Sequence, residues 1–157
     1  MPMDAETQAA VQDDAGSVEQ SRLQGLLGYQ LTRAQLQLHR RLVERLQAVS
    51  LRPVEYSILV LIDSNHGINQ RQIGDALGIS PPNLVGVITR LIKRRLVRRA
   101  RSRQDRRVQH LHLTAEGARL LVEAEGIVTE FEQGILAAIG DVGHDQLERA
   151  LRRIQQL

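Results

Sequence analysis

Arginine carries most of the chemistry in this chain. From Val97 to Thr114 the sequence runs Val-Arg-Arg-Ala-Arg-Ser-Arg-Gln-Asp-Arg-Arg-Val-Gln-His-Leu-His-Leu-Thr. A guanidinium is a planar fork of N–H donors that stays charged and matches phosphate oxygens two at a time. Six arginines within ten residues (Arg98, Arg99, Arg101, Arg103, Arg106 and Arg107) therefore point to holding a polyanion. Between Ala76 and Ala115 ten basic residues face one acid, Asp105, a local net charge of +9. The remaining chain has 11 basic and 17 acidic residues and carries −6, so the positive charge is concentrated in one segment. A charge run is most often a solvated face. Here its placement in a hairpin shifts the balance toward duplex DNA.

Other chemistries find little support. Cysteine is absent, which excludes disulfides, thiolate catalysis and cysteine-ligated zinc. Serine, histidine and aspartate are scattered, and no glycine-rich phosphate cradle appears, so an enzyme is not expected. His110 and His112 share one face of a strand, but no third ligand is evident; no metal and no cofactor are expected. His39, His66 and His144 stand alone in the sequence. No apolar run approaches the about 18 residues of a membrane span, and no apolar leader is seen, so the expectation is a cytoplasmic protein that does not contact membranes.

Elements must position the arginines, and the 157 residues suffice for one domain of the usual about 100–200. Only Tyr29, Tyr56 and Phe131 are aromatic, so the core is built from aliphatic side chains. Residues 1–20 are acidic and poor in large apolar groups, which predicts a disordered tail. From Ser21 a long helix is predicted, with Leu23, Leu27, Leu31, Ala34, Leu38, Leu42, Leu46 and Val49 at three- and four-residue spacing, and Leu26, Leu36 and Val43 widening the stripe. A domain this small seldom buries both faces of such a helix, so part of it is expected against a second subunit. Pro53 starts a short buried helix, and Ile68 is placed in a very short strand beside the hairpin.

Asn69 caps a helix from Gln70 to Leu77, with Ile73, Ala76 and Leu77 turned inward, and Gly78 makes the turn. Ser80 reads as the N-cap of a second helix, Pro81 to Arg94. Leu84, Val87, Ile88 and Leu91 form its apolar back. Its front shows Pro82, Asn83, Val85, Gly86, Thr89, Arg90 and Lys93. A small, polar and basic front suits close approach to base edges in a major groove. Leu96–Ala100 and Val108–Leu113 then alternate as two strands. Thr114 caps a long helix with Ala118, Leu121, Val122, Ile127, Val128, Phe131, Ile135 and Leu136 on one side. Gly140 to Gly143 breaks it, and a final amphipathic helix runs from His144. The fold class is mainly α with a small β-hairpin: a winged helix-turn-helix with long N- and C-terminal helices.

In this order and spacing the residues resemble the multiple-antibiotic-resistance regulator (MarR) family. The most specific stretch is Asp105-Arg106-Arg107-Val108-Gln109-His110-Leu111-His112-Leu113-Thr114, similar to the family's wing, an Asp-x-Arg followed by Leu-x-Leu-Thr. Leu51-Arg52-Pro53-Val54-Glu55-Tyr56, Ile73-Gly74-Asp75-Ala76-Leu77-Gly78-Ile79 and Thr89-Arg90-Leu91 add to it. The resemblance spans roughly Ser21 to Leu157, boundaries being good to a few residues. It implies dimerisation through 21–50 and 115–157, and a DNA-binding lobe over 51–114. It implies a recognition helix in the major groove, where Asn83 and Arg90 match positions that commonly touch DNA; Ser80, Pro82, Val85, Gly86, Thr89 and Lys93, on the same helix start and front, are the further candidate DNA contacts. Arg101, Arg103, Arg106 and Arg107 would act from the wing, with Asp105 orienting an arginine at its tip. Arg90 has a second reading, as a structural ion-pair partner; DNA is put first. Two positions depart from the pattern: Gly86 stands where a polar or basic residue is usual, and Arg95 where a glycine usually closes the helix.

The same resemblance implies a homodimer on a pseudo-palindromic double-stranded operator, acting as a repressor released by a small aromatic acid, a phenolic compound or an aromatic acyl-CoA. Tyr29 and Arg33, four residues apart on one helical face, and Tyr56 are the candidate contacts for that aromatic, anionic effector. Packing of the tyrosines and solvation of Arg33 is an equally good reading. Two other functions are carried beside it: an architectural DNA-binding protein without effector, and a winged-helix protein-interaction module.

Overall fold

The computed structural model describes residues 18–101, 109–140 and 142–157. Its elements are α1 (Ser21–Gln24), α2 (Leu27–Leu46), a 3-10 turn (Gln47–Val49), α3 (Pro53–Ser64), α4 (Gln70–Leu77), α5 (Pro81–Lys93), β1 (Val97–Arg101), β2 (Gln109–Leu113), α6 (Ala115–Ile139) and α7 (His144–Ile154). This is the mainly helical, winged helix-turn-helix class expected from the periodicity.

The chain divides into two compact units between Gln37 and Leu38. In the first, the single helix expected from Ser21 is instead two. At Gly25–Leu26 the chain tightens, with Leu26 N–H donating to the Leu23 carbonyl at 2.9 Å, before α2 begins at Leu27. Glycine is a weak helix former, and here it permits the interruption.

The second unit holds the core. Leu46, Leu51, Ile58, Leu59, Ile73, Leu84, Ile88, Leu91, Leu96, Val97, Leu111 and Leu121 pack into one aliphatic cluster. The β1 and β2 strands pair antiparallel with Val97 opposite Leu113 and Arg99 opposite Leu111. A third backbone segment touches the sheet: Leu111 N–H donates to the Ile68 carbonyl at 2.8 Å, and Asn69 bridges His110. The short strand expected at Ile68 is thus an isolated bridge one residue further on. Ala76 and Val122, both assigned inward from periodicity, are exposed.

Candidate nucleic-acid interface

The helix-turn-helix is built from local bonds. Asn69 and Gln72 form a reciprocal capping box: Gln72 N–H donates to Asn69 Oδ1, and Asn69 N–H donates to Gln72 Oε1, both at 3.0 Å. Gly78 closes α4 at φ +63°, a conformation other residues adopt only with strain. Gly74 keeps the two helices close, since a Cβ there would stand 3.2 Å from the Ile79 carbonyl oxygen and from Leu84 Cδ2.

Helix α5 buries Leu84, Val87, Ile88 and Leu91, as expected. Pro82, Asn83, Val85, Gly86, Thr89, Arg90 and Lys93 all sit exposed on its front. Ser80 occupies the N-cap position in extended conformation, but its hydroxyl makes no capping bond. Pro82 at the second helical position removes one of the two N–H donors that such a cap can accept from, and the Asn83 N–H that remains is not engaged. Gly86 forms a notch: a Cβ there would meet only Arg90 Nη1, at 4.0 Å.

The turn after α5 keeps its left-handed shape despite having no glycine. Arg95 adopts φ +59°. Leu96 N–H donates to the Leu91 carbonyl at 3.0 Å and Arg95 N–H to the Ile92 carbonyl at 2.9 Å, a Schellman closure with Leu96 and Leu91 both buried. Thr114 then ties the base of the wing. Its N–H donates to the Leu96 carbonyl at 3.0 Å, its hydroxyl to the Arg95 carbonyl at 2.6 Å, and it caps α6 by accepting from Gly117 N–H at 3.0 Å.

From this base the wing carries Arg98, Arg99 and Arg101, all exposed. Arg98 pairs with His112 and Arg99 with the buried Leu111, so these two neighbours stand on opposite faces of the ribbon. Arg103, Asp105, Arg106 and Arg107 lie outside the described residues.

One functional group escaped the sequence reading. Glu55, on α3, is 4% exposed yet charged. Its Oε2 accepts from the Arg52 backbone N–H at 3.0 Å and lies 3.8 Å from Arg94 Nη1; its Oε1 accepts from Arg90 Nε at 3.3 Å. Arg94 Nη1 also donates to the Ser50 carbonyl at 2.7 Å. Both readings of Arg90 therefore have a geometric basis: it pairs with Glu55 and it stands on the exposed front of α5. The three side chains line a cleft of about 510 Å³ that also takes in Val43, Gln47, Ser50, Leu51 and Arg52. Glu55 three residues after the Arg52 N-cap signals a helix start. No local signal shows that it reaches a residue 35 positions away.

The effector candidates are spread over the two units. On α2, Tyr29 is half-buried and its hydroxyl donates to Gln20 Oε1 at 2.8 Å; Arg33 is exposed one turn on. On α3, Tyr56 is half-buried against the core. Burial first, then the Glu125 and Glu132 carboxylates of α6, push the Tyr56 phenol above its usual range. It therefore remains a neutral hydrogen-bonding group beside negative charge. None of the three lines the Glu55 cleft.

The rings of His110 and His112 meet edge to face, 6.5 Å apart. Burial chiefly, and then the charges of Arg98, His110 and His66, hold His112 below the ordinary histidine value. His66, isolated in sequence, is thereby brought into the field of the other two. Among the described residues, the grouping with metal-ligand spacing is instead His144, Asp145 and Glu148, at the start of α7. There Glu148 already accepts from Arg152 Nε at 2.9 Å.

A helix-turn-helix with an exposed basic front, continued into an arginine-bearing two-stranded wing, defines a winged-helix protein of the DNA-binding kind. The sequence profile of the MarR family matches residues 49–108. The transcriptional repressor CouR bound to a 23-mer DNA duplex is similar, with 36% identity and a TM-score of 0.82 over 88% of this chain and 99% of that one. CouR bound to p-coumaroyl-CoA is 34% identical with a TM-score of 0.78, over 88% and 98% of the two chains. The transcriptional repressor MprA of Escherichia coli K12 is 29% identical over 130 residues, 79% of this chain and 74% of that protein. The chain belongs to the MarR family.

Proposed function

We propose that this protein is a homodimeric, sequence-specific transcriptional repressor that leaves its operator when an aromatic acyl-CoA, an aromatic acid or a phenol binds. The observation that carries the DNA half is the exposed front of α5, with Asn83, Thr89, Arg90 and Lys93, followed in the chain by a wing whose Arg98, Arg99 and Arg101 are exposed as well. Ser80, Pro82, Val85 and Gly86 would let that front approach base edges closely, and Arg103, Arg106 and Arg107, with Asp105 orienting an arginine, are assigned to minor-groove contact. The likeness to CouR on DNA supports this assignment.

Dimerisation is assigned to 21–50 and 115–157, and DNA binding to 51–114. Exposed Leu23, Leu26, Leu27 and Leu36 in the first segment support this, as do Val122, Leu136, Leu151 and Ile154 in the second: apolar side chains in such number mark surfaces that another chain covers. Half-sites would lie about one helical turn apart.

The effector half rests on likeness to CouR bound to p-coumaroyl-CoA and on Tyr29 and Arg33, one turn apart on α2. Arg33 would meet the anionic part of the ligand. Tyr56, flanked by Glu125 and Glu132, suits a neutral phenol or thioester portion.

Fluorescence anisotropy on DNA upstream of its own gene, at physiological salt and with excess unrelated duplex, tests both halves. Binding that survives competitor, followed by release with p-coumaroyl-CoA or a related thioester, is the expected result. Binding abolished by competitor would instead favour an architectural protein or a protein-interaction module. Specific binding that no aromatic compound relieves would remove the effector assignment alone.

A further inference from the structure

We infer that Glu55 is a positioning residue for DNA readout: its buried carboxylate aims the Arg90 guanidinium across the Gly86 notch on the front of α5. The inference rests on the DNA-binding reading above and adds to it a residue that touches no DNA itself.

The geometry is specific. Arg90 spends one of its five N–H donors, the Nε–H, on Glu55 Oε1 at 3.3 Å. That bond fixes the plane of the guanidinium. It leaves Nη1 lying over Gly86, 4.0 Å from where a Cβ would be. The glycine that departs from the family pattern and the buried glutamate therefore both border the same guanidinium. Glu55 is itself held from two further directions, by the Arg52 N–H at 3.0 Å and by Arg94 at 3.8 Å. Arg94 is in turn anchored to the Ser50 carbonyl. A carboxylate so placed tethers the recognition helix to α3 and to the segment after α2. Its 5% side-chain exposure leaves it little room to swing, while Arg90 remains 45% exposed at its other end. Orientation of a fork donor matters because base readout needs both N–H groups aligned, whereas phosphate attraction needs only charge.

Charge and orientation predict opposite signs for one substitution. Glu55→Gln removes a negative charge beside the DNA face, which by electrostatics alone tightens binding to every duplex. It also releases Arg90, because one amide oxygen cannot serve both Arg52 N–H and Arg90 Nε, and the amide nitrogen faces donors. Positioning therefore predicts weaker specific binding with non-specific binding unchanged or tighter.

The test uses the full chain and two fluorescent 23-base-pair duplexes, one recovered from a random pool by the wild-type protein and one of scrambled sequence. Glu55→Gln is expected to lose about tenfold on the selected duplex and nothing on the scrambled one. Added to Arg90→Gln, it is expected to cost nothing further on the selected duplex, since the effect runs through Arg90. Parallel change on both duplexes, or an additive double variant, would overturn the role. Thermal unfolding is followed alongside. Should Glu55→Gln not fold, Glu55→Asp carries the test, keeping the charge and drawing the carboxylate back from Arg90. A drop of about tenfold confined to the selected duplex supports positioning, and equal binding overturns it. If the wild-type chain itself recovers no preferred duplex, the regulator reading falls first and the positioning role with it.

Discussion

Gly117 and Leu96 meet backbone to backbone. A Cβ built on Gly117 would overlap the Leu96 carbonyl oxygen and stand 2.9 Å from its carbonyl carbon. This contact seats the first turn of α6 on the start of the wing, and no side chain can give way to relieve it. Gly117→Ala is therefore expected to destabilise the fold by about 1–3 kcal/mol, the usual range for overpacking a tight site. Denaturant unfolding would measure it, and an unchanged midpoint would contradict the contact.

Thr114 works at the same junction through its hydroxyl. Thr114→Ala removes the cap on Gly117 N–H and the bonds to the Arg95 and Leu96 carbonyls. The expected loss is about 1–2 kcal/mol, with Thr114→Ser recovering most of it because the oxygen is retained. Equal stability of the alanine and serine variants would show that the methyl group, not the hydroxyl, matters there.

Arg95 holds a left-handed conformation at φ +59° and is exposed. Glycine adopts that conformation without steric cost, at the expense of a more flexible unfolded chain. Arg95→Gly should raise stability by about 0.5–1 kcal/mol, read as a higher melting temperature. A lower one would indicate that the arginine side chain contributes more than its backbone strain removes.

His112 makes stability depend on pH. Its folded value lies below the ordinary 6.5, through burial first and then the charges of Arg98, His110 and His66. Just below 6.5 the unfolded chain therefore binds a proton that the folded chain does not. The contribution is fully present above 6.5 and is lost as pH falls through the folded value. His112→Gln should flatten the stability profile on the acid side of 6.5 in urea titrations. A profile as steep as that of the wild type would place the dependence elsewhere.

On the wing, Arg107→Ala should weaken operator binding without moving the melting temperature. The slope of log affinity against log salt should fall by about 0.9 if the residue neutralises one phosphate. Unchanged affinity and slope would take Arg107 out of the interface.

Local chemistry made most elements legible. Asn69 with Gln72, Gly78, Pro53 and Thr114 each act within a few residues, and the helices and strands begin or end beside them. Failures came where a local rule met a neighbour's effect. Ser80 has a capping side chain, but Pro82 removes one of the two N–H donors open to it and no capping bond forms. The periodic run from Ser21 hides an interruption at Gly25, because apolar spacing does not register how weakly glycine holds a helix.

The sequence by itself determined the order of elements, the apolar back and basic front of α5, and the arginine-rich ribbon after it. These depend on spacing of three, four or two residues and on caps, all properties of adjacent positions. Tertiary structure decided which charges meet. Only folding brings Glu55 to Arg90, His66 into the field of His112, and Gly117 onto Leu96. Such pairings depend on how separate helices and strands pack, and packing is a collective property of the core that no short window of sequence contains.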